Sequence, residues 1–283
     1  MTMPDPCTWH AGLISCRGGK RERRPSFRGL LPEHPILALP RDRESADIFD
    51  TFLAREAGGL AGIPVEPLVQ GAGGMLFHDA AVLRRLRRAA DRYGLLLIFD
   101  EIFIGFGRIG TMFACEQAGV VPDIITLSKA LTGGTVALAA TAASRAVFDS
   151  FWSDNPAHAL MHGPTFMANP LACAGAGASL DLFAHEDRLT QAATISATLE
   201  RDLAPCRTMP GVCDVRVLGA IGVVELERIT DLNALYRQFV AAGVWVRPFR
   251  NIVYLTSALM IDAAELSFLT SRVVDVLDRH TRD

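Results

Sequence analysis

The sequence lacks features that define several whole classes of protein. Its six cysteines include no CxxC pair, so it indicates neither a zinc site nor a disulfide framework, and a reducing cytoplasm fits best. It has no run of about 18 uninterrupted apolar residues and no basic-then-apolar N-terminal layout typical of a signal peptide. The net charge is only -3. We therefore expect neither nucleic acid nor a membrane as a partner.

Lysine is nearly absent. Of the 28 basic residues, only Lys20 and Lys129 are lysines and the other 26 are arginines. Lys20 lies in a polar run, whereas Lys129 follows the apolar segment VVPDIITL and precedes a Gly-Gly pair. Arginine stays protonated at any working pH, but a desolvated lysine amine can lose its proton and form a Schiff base. Lys129 is therefore either an ordinary solvent-facing charge or an amine nucleophile that needs partners.

The chain has ample apolar content, with 283 residues of which 50% are hydrophobic, enough for one large or two modest cores. Residues 1–59 are interpreted as an irregular or atypical segment, and their basic run KRERR as a solvated tail. Residues 60–185 are predicted to form an α/β domain and residues 186–283 an α+β domain.

Strands and helices alternate in residues 60–185. Asp79 is predicted to cap a helix that ends at Gly94, with an apolar face formed by Val82, Leu83, Leu86, Ala90 and Tyr93. The fully apolar LLLIF is typical of a strand buried on both faces of a parallel sheet. Further strands are predicted at GIPVEPLV, DIITL and TVALAATAA.

The C-terminal part shows a different order of elements. Helices are predicted at DRLTQAATISATLERDLA, LNALYRQFVAAG and AAELSFLTSRVVDVLDR. Strands are predicted at VCDVRVLG, IGVVEL, VWVRP and IVYL.

Acidic residues stand at the ends of two predicted strands. Asp100 and Glu101 follow LLLIF, and Lys129 comes 29 positions after Asp100, beyond DIITL. A strand, a crossover and a parallel strand occupy about 30 residues, so Asp100 and Lys129 should emerge at the same sheet edge. Glu66, which ends another predicted strand within PVEP, could lie beside them. The alternative is that Asp100 and Glu101 only cap the following turn.

A carboxylate and an amine at one sheet edge are what pyridoxal phosphate chemistry requires. The amine holds the aldehyde, and the carboxylate keeps the pyridine nitrogen protonated so that the ring accepts electrons. A rival function comes from GFGRIG at residues 105–110, which matches the GxGxxG string of dinucleotide-binding oxidoreductases. However, DEIFI intervenes between LLLIF and this string, and only a short helix is predicted after it. The pyridoxal phosphate hypothesis is therefore favoured.

The segment FDEIFIGFGRIGTMFACEQAGVVPDIITLSKALTGG resembles the cofactor segment of the class III (subgroup II) aminotransferases, which are fold type I pyridoxal phosphate enzymes. The resemblance extends from about residue 60 to the C-terminus through MHGPTFMANPLACAGAGASL, VRVLGAIGVVEL and GVWVRPFRNIVYL, which are similar to the biotin-pathway branch of the class. It implies a large domain with a mainly parallel sheet, present in part, a small α+β domain, and a homodimer.

The resemblance also implies roles for individual residues. Lys129 is implied as the Schiff-base lysine, Asp100 as the partner of the pyridine nitrogen and Glu66 as a supporting carboxylate. Arg247 is implied to bind the substrate carboxylate, a task suited to a planar bidentate donor. Arg108 is implied to be structural or peripheral.

The segment HGPTF is implied to lie at a subunit boundary. Thr165 is expected to reach the cofactor phosphate of the partner subunit, with Gly163 and Pro164 shaping the loop. The implied reaction transfers an amino group from S-adenosyl-L-methionine to 8-amino-7-oxononanoate, giving 7,8-diaminononanoate. Two alternatives remain: a class III aminotransferase with another donor or an ω-amino acid substrate, and a catalytically inactive truncated remnant.

The sequence departs from the family pattern in two respects. The family's glycine-rich phosphate loop and its Tyr-His-Gly segment have no recognisable counterpart, so we expect the chain to correspond to the C-terminal two-thirds of such an enzyme. Its sheet should then have uncovered apolar edges. Phe103 and Ile104 stand where the family usually has smaller or more polar residues, and Ala168 replaces a usual glycine.

Overall fold

A computed structural model describes residues 15–16 and 34–282 of the chain. The predicted solvated tail, including its basic run, lies outside the described residues. Within the described residues, no helix is long and apolar enough to cross a membrane. The same residues hold no group of three or more His, Cys, Asp or Glu side chains that could bind a metal ion.

The elements of the described residues are numbered in chain order. The strands are β1 Ser15–Cys16, β2 Ile36–Leu37, β3 Gly62–Val65, β4 Val69–Gln70, β5 Leu76–Phe77, β6 Leu96–Asp100, β7 Ile124–Leu127, β8 Ala140–Ala143, β9 Val212–Leu218, β10 Ile221–Leu226 and β11 Ile252–Leu255. The helices are α1 Arg43–Glu56, α2 Ala80–Tyr93, α3 Ala114–Ala118, α4 Arg145–Asp149, α5 Pro170–His185, α6 Arg188–Leu203, α7 Leu232–Ala241 and α8 Ala263–Arg282.

The larger sheet has six strands in the order β2-β1-β3-β6-β7-β8. Its first five strands pair in parallel, and only β8 runs antiparallel, against β7. The predicted α/β fold with a mainly parallel sheet is therefore confirmed. The predicted strand TVALAATAA is shorter than expected, because only Ala140–Ala143 pair with β7.

Burial falls steadily across this sheet toward β8. Three of the four β3 residues are buried, all four β7 residues are half-buried, and all four β8 residues are exposed. Strands of mainly parallel sheets are ordinarily covered on both faces. Within residues 15–16 and 34–282, nothing covers β8, and the sequence predicted such uncovered sheet edges.

Helix α1 corrects the interpretation of residues 1–59 as irregular, because it lies inside that segment. Asp42 and Ser45 form a reciprocal capping box at its start, and such boxes satisfy N–H groups that a helix leaves unpaired. Ala46, Phe49 and Leu53 recur at helical spacing and are buried. The cap and the spacing were both legible in the sequence.

Helix α2 forms where it was predicted. Val82, Leu83, Leu86 and Ala90 are buried on its inner face, and the helix ends at Gly94, whose φ of 66° is left-handed. Glycine takes this conformation without the penalty that a Cβ brings. Asp79 occupies the predicted cap position, although its side chain accepts no helix N–H.

The smaller sheet is antiparallel, in the order β11-β10-β9, and packs against α6, α7 and α8. Leu199, Val224, Phe239 and Val273 are members of its buried core. The predicted strand VWVRP does not form. Val244 and Val246 are buried in the alternation expected of a strand, but the segment hydrogen-bonds to no neighbouring strand.

The chain divides into two compact units. The first comprises Met1–Phe103 and Ala114–Ser179, and the second comprises Ile104–Phe113 and Leu180–Asp283. The sequence did not predict that Ile104–Phe113 belongs with the C-terminal part. The domain division at residues 185 and 186 stays a prediction.

Candidate functional site

Glu66, Asp100 and Lys129 follow three neighbouring parallel strands. Glu66 comes directly after β3, Asp100 ends β6, and Lys129 lies two positions beyond the end of β7. The register aligns these ends, since Val65 pairs with Phe99 and Asp100 pairs with Thr126. The structure thus brings the three residues to the same sheet edge, where α/β folds place their ligands. Their chemical roles stay predictions.

Asp100 is half-buried at this edge. Its Oδ1 accepts a hydrogen bond of 3.1 Å from the backbone N–H of Ile102. The alternative in which this carboxylate stabilises the next turn is therefore realised in part. A second carboxylate oxygen still gives the group the chemistry to pair with a protonated ring nitrogen.

Lys129 begins a single turn of 3-10 helix that ends at Thr132. Its backbone φ is +46°, a left-handed conformation that non-glycine residues adopt rarely and mostly at functional sites. The Ser179 hydroxyl donates a hydrogen bond of 3.1 Å to the carbonyl of Ala130, and Leu131 and Thr132 are buried. Packing therefore fixes the turn from its inner side.

Lys129 is exposed. The described residues alone therefore do not desolvate its amine, as a Schiff-base lysine would require. Its Nζ lies 5.1 Å from the centroid of the Phe103 ring.

Glu66 is bound to the turn that follows it. Its Oε2 accepts a hydrogen bond of 2.8 Å from the backbone N–H of Gly71, and its carbonyl lies 3.1 Å from His78 Nε2. Burial lowers the pKa of His78 below its ordinary value, which favours a neutral ring that donates through Nε2. A Cβ built on Gly71 would stand 3.3 Å from Phe103 Cδ1. Glu66 thus shares one cluster with Phe103.

Glu101 was predicted from the sequence only to cap the turn that follows β6. It is completely buried, and both carboxylate oxygens accept from the backbone N–H of Ala114 at 3.0 Å. Burial raises the pKa of Glu101 to about 7, although the backbone N–H groups of Ala114 and Cys115 oppose the shift. The side chain therefore closes the base of the loop that contains GFGRIG. The available signal in the sequence was an acidic residue two positions after the fully apolar LLLIF.

The GFGRIG segment is not a dinucleotide-binding turn. Residues 101–113 lie between the end of β6 and α3, and α3 has only five residues, whereas the dinucleotide motif opens a full helix directly after a strand. Arg108 donates a hydrogen bond of 2.5 Å to the carbonyl of Ser257. Gly219 has φ +56°, and a Cβ there would lie 2.5 Å from the Arg108 carbonyl oxygen. Arg108 thus packs within the second unit, as expected of a structural residue.

The remaining site residues predicted from the sequence lie on exposed segments. Gly163, Pro164 and Thr165 are exposed in the first unit, in a stretch where Met161 and Phe166 are 93% and 81% exposed. Arg247 is exposed in the second unit, on the extended segment between α7 and β11. Arg247 therefore belongs to a different unit from the sheet-edge residues, whereas Gly163, Pro164 and Thr165 belong to the same unit as those residues.

The sheet-edge residues fit the ring end of pyridoxal phosphate. Lys129 offers an amine for the aldehyde, and Asp100 offers a half-buried carboxylate for the pyridine nitrogen. Glu66 is held near them by Gly71.

Comparison with solved structures identifies the fold. The chain is similar to the adenosylmethionine-8-amino-7-oxononanoate aminotransferase of Methanocaldococcus jannaschii, with a TM-score of 0.86 and 23% identity over 95% of this chain and 68% of that chain. It is also similar to a PLP-bound amine transaminase from an uncultivated Pseudomonas species, with a TM-score of 0.84 and 28% identity; the match covers 95% of this chain and 70% of that chain. The fold is that of the pyridoxal phosphate-dependent transaminases.

Sequence comparison narrows the class to one family. The model of the aminotransferase class-III family matches residues 13–277, and the chain belongs to that family, whose cofactor is pyridoxal phosphate. It is 47% identical to the adenosylmethionine-8-amino-7-oxononanoate aminotransferase of Mycobacterium leprae over 240 residues, which cover 84% of this chain and 55% of that protein. It is 40% identical to the enzyme of the same name from Buchnera aphidicola subsp. Acyrthosiphon pisum over 260 residues, which cover 89% of this chain and 60% of that protein. The chain thus spans little more than half the length of these relatives.

Proposed function

We propose that this chain carries the cofactor lysine of an aminotransferase that moves an amino group from S-adenosyl-L-methionine to 8-amino-7-oxononanoate, giving 7,8-diaminononanoate for biotin biosynthesis. The observation that carries the proposal is the placement of Asp100 and Lys129 at the ends of adjacent parallel strands. The relatives that share 40–47% identity with the chain support the choice of substrates.

The residues at the sheet edge divide the work between them. Pyridoxal phosphate supplies an electron-accepting ring when bound. Asp100 keeps the ring nitrogen protonated, and Lys129 supplies the amine that holds the aldehyde and later moves a proton at the reacting carbon. Glu66, fixed by the Gly71 N–H at 2.8 Å, supports this edge.

The second unit contributes the substrate contact. Arg247 is exposed, and a guanidinium can bind a carboxylate through two parallel hydrogen bonds. We assign it the carboxylate of the amino donor or of its keto acid product.

The working enzyme is a homodimer in the cytoplasm, with Thr165 of each subunit directed to the cofactor phosphate of the other. Exposed apolar side chains on both sides of Thr165 support an interface there. Trp152, Met161, Phe166 and Leu171 are between 72% and 93% exposed, and exposed apolar patches typically mark contact surfaces.

Phosphate binding requires a further piece of polypeptide. The chain spans only 55% of the Mycobacterium leprae relative, and β8 is exposed throughout. We propose that polypeptide corresponding to the unspanned part supplies the phosphate cradle and covers this edge, and that residues 1–283 alone have little activity. Loss of several charge-assisted hydrogen bonds, each worth roughly 1.5 to 3 kcal/mol, weakens cofactor binding by orders of magnitude.

An assay of the purified chain tests this function. Its amino-transfer rate with S-adenosyl-L-methionine and 8-amino-7-oxononanoate is compared with its rate with an ω-amino acid donor, with Lys129→Ala as the control. The proposal expects slow turnover that depends on Lys129 and prefers S-adenosyl-L-methionine. Preference for the ω-amino acid supports the other class III function. If the chain neither binds cofactor nor turns over substrate even after a complementing N-terminal polypeptide is added, it is the inactive remnant.

A further inference from the structure

The Phe103 ring stands between two parts of the candidate site. Its centroid lies 5.1 Å from Lys129 Nζ, and on another side its Cδ1 would meet a Cβ on Gly71 at 3.3 Å. Gly71 donates its N–H to Glu66 Oε2 at 2.8 Å. The Phe103 ring is therefore a neighbour both of the Lys129 amine and of the Gly71 backbone that binds Glu66.

Of the two partners in the aromatic contact, the ring is the fixed one. Phe103 is half-buried and lies two positions after Glu101, which is completely buried and bonded to Ala114 N with both oxygens. The Lys129 side chain is exposed, and exposed side chains change rotamer within nanoseconds. The position of the ring therefore decides where the amine rests.

The contact also bears on the reactivity of the amine. The negative face of an aromatic ring attracts an ammonium group, whereas the nucleophile that attacks an aldehyde carbon is the neutral amine. An amine that rests on the ring is thus not yet placed to attack. Leaving the ring is a step that must precede attack.

We infer that Phe103 is a positioning residue for Lys129: its ring holds the side-chain amine in place and slows the reaction of that amine with electrophiles. The inference rests on the proposed function only in that Lys129 is the cofactor lysine. The ring contact itself exists without cofactor, so it is testable separately.

The chain provides an internal standard for that test, because Lys20 is its only other lysine. The cofactor-free chain is treated with limiting trinitrobenzenesulfonate, and peptide mapping gives the ratio of the modification rates of Lys129 and Lys20. Phe103→Leu keeps apolar volume but removes the ring face. It should raise the ratio about two- to fivefold, as expected for an exposed cation–π contact.

Two further variants separate positioning from a general effect on structure. Phe103→Tyr retains an aromatic face and should keep the wild-type ratio. Phe148→Leu removes another partly exposed phenylalanine of the first unit and should also leave it unchanged. Phe103→Met serves in place of Phe103→Leu if urea unfolding shows that the leucine variant is not folded.

An unchanged ratio in Phe103→Leu and Phe103→Met overturns the inference, and so does an equal rise in Phe103→Tyr. Trapping with pyridoxal phosphate and borohydride is run in parallel on the wild-type chain. A missing pyridoxyl label on Lys129 there contradicts the proposed function, whereas the ratio measured without cofactor judges Phe103 alone.

Discussion

Both carboxylate oxygens of Glu101 lie 3.0 Å from the backbone nitrogen of Ala114. Ile104–Phe113 belongs to the second compact unit, and the first unit resumes at Ala114. The contact therefore joins the two parts of the first unit that flank this segment. Because Glu101 directly follows Asp100, it also anchors the end of β6 that carries the candidate cofactor carboxylate. A single buried side chain thus holds the sheet edge and the loop base together.

The raised pKa of Glu101 makes the stability of the chain depend on pH. The pKa moves from 4.5 to about 7 on folding because burial disfavours the charge, so between these values the folded state holds a proton that the unfolded state has lost. This contribution to the free energy of unfolding is complete below pH 4.5 and is lost as the pH rises through about 7. Its full size is roughly 3 kcal/mol.

Glu101→Gln should remove that dependence. Urea unfolding from pH 4.5 to 8 should show that the free energy of unfolding of the variant, relative to wild type, increases with pH across this window. Glu56→Gln, at the exposed end of α1, should show no such increase. A constant difference between Glu101→Gln and wild type would mean that Glu101 keeps its charge in the folded chain.

Asp100→Asn tests the role of the carboxylate at the ring nitrogen. The amide oxygen can still accept from Ile102 N–H, which Asp100 Oδ1 does at 3.1 Å, so the turn should persist. Half-reaction rates of the cofactor-loaded protein should fall on the order of a hundredfold, because one preorganised electrostatic partner is lost. Pyridoxyl labelling of Lys129 should continue.

The control for this variant is Asp79→Asn, since Asp79 is exposed and its side chain accepts no hydrogen bond from α2. Its rates should match those of wild type. Equal rates in Asp100→Asn and wild type would reduce Asp100 to a turn-stabilising residue.

Arg247→Lys tests carboxylate recognition. Lysine keeps the charge but cannot form two parallel hydrogen bonds, so KM for a carboxylate-bearing donor should rise roughly ten- to a hundredfold. KM for an amine donor without a carboxylate should not change. Arg250→Lys, on the neighbouring turn, is the matched control, and an equal rise in KM for both donors in Arg247→Lys would contradict the assignment.

The sequence predicted the sheet edge well because local rules determine it. A fully apolar strand ending in Asp100 and a crossover of ordinary length leave little freedom for where Lys129 emerges. Helix α1 obeys equally local rules in its capping box and in the spacing of Ala46, Phe49 and Leu53. It was missed because the clustered arginines and prolines before it were taken to characterise the whole segment.

Other features depended on contacts between distant residues. The segment VWVRP has the alternation of a strand, but strand formation also requires a neighbour to pair with, which the pattern does not report. The contact between Phe103 and Lys129 depends on the path of the loop closed by Glu101 and Ala114. The exposure of Lys129 likewise depends on which other surfaces pack against it, and sequence spacing does not specify that.

The central claim is that Lys129 is the cofactor lysine, and one measurement tests it most directly. The purified chain is incubated with millimolar pyridoxal phosphate, reduced with borohydride and digested, and the pyridoxyl group is located by mass spectrometry. Because Lys20 and Lys129 are the only lysines, the choice is binary. If Lys129 is the cofactor lysine, the label lies on Lys129; a label on Lys20 alone or on neither lysine contradicts that role.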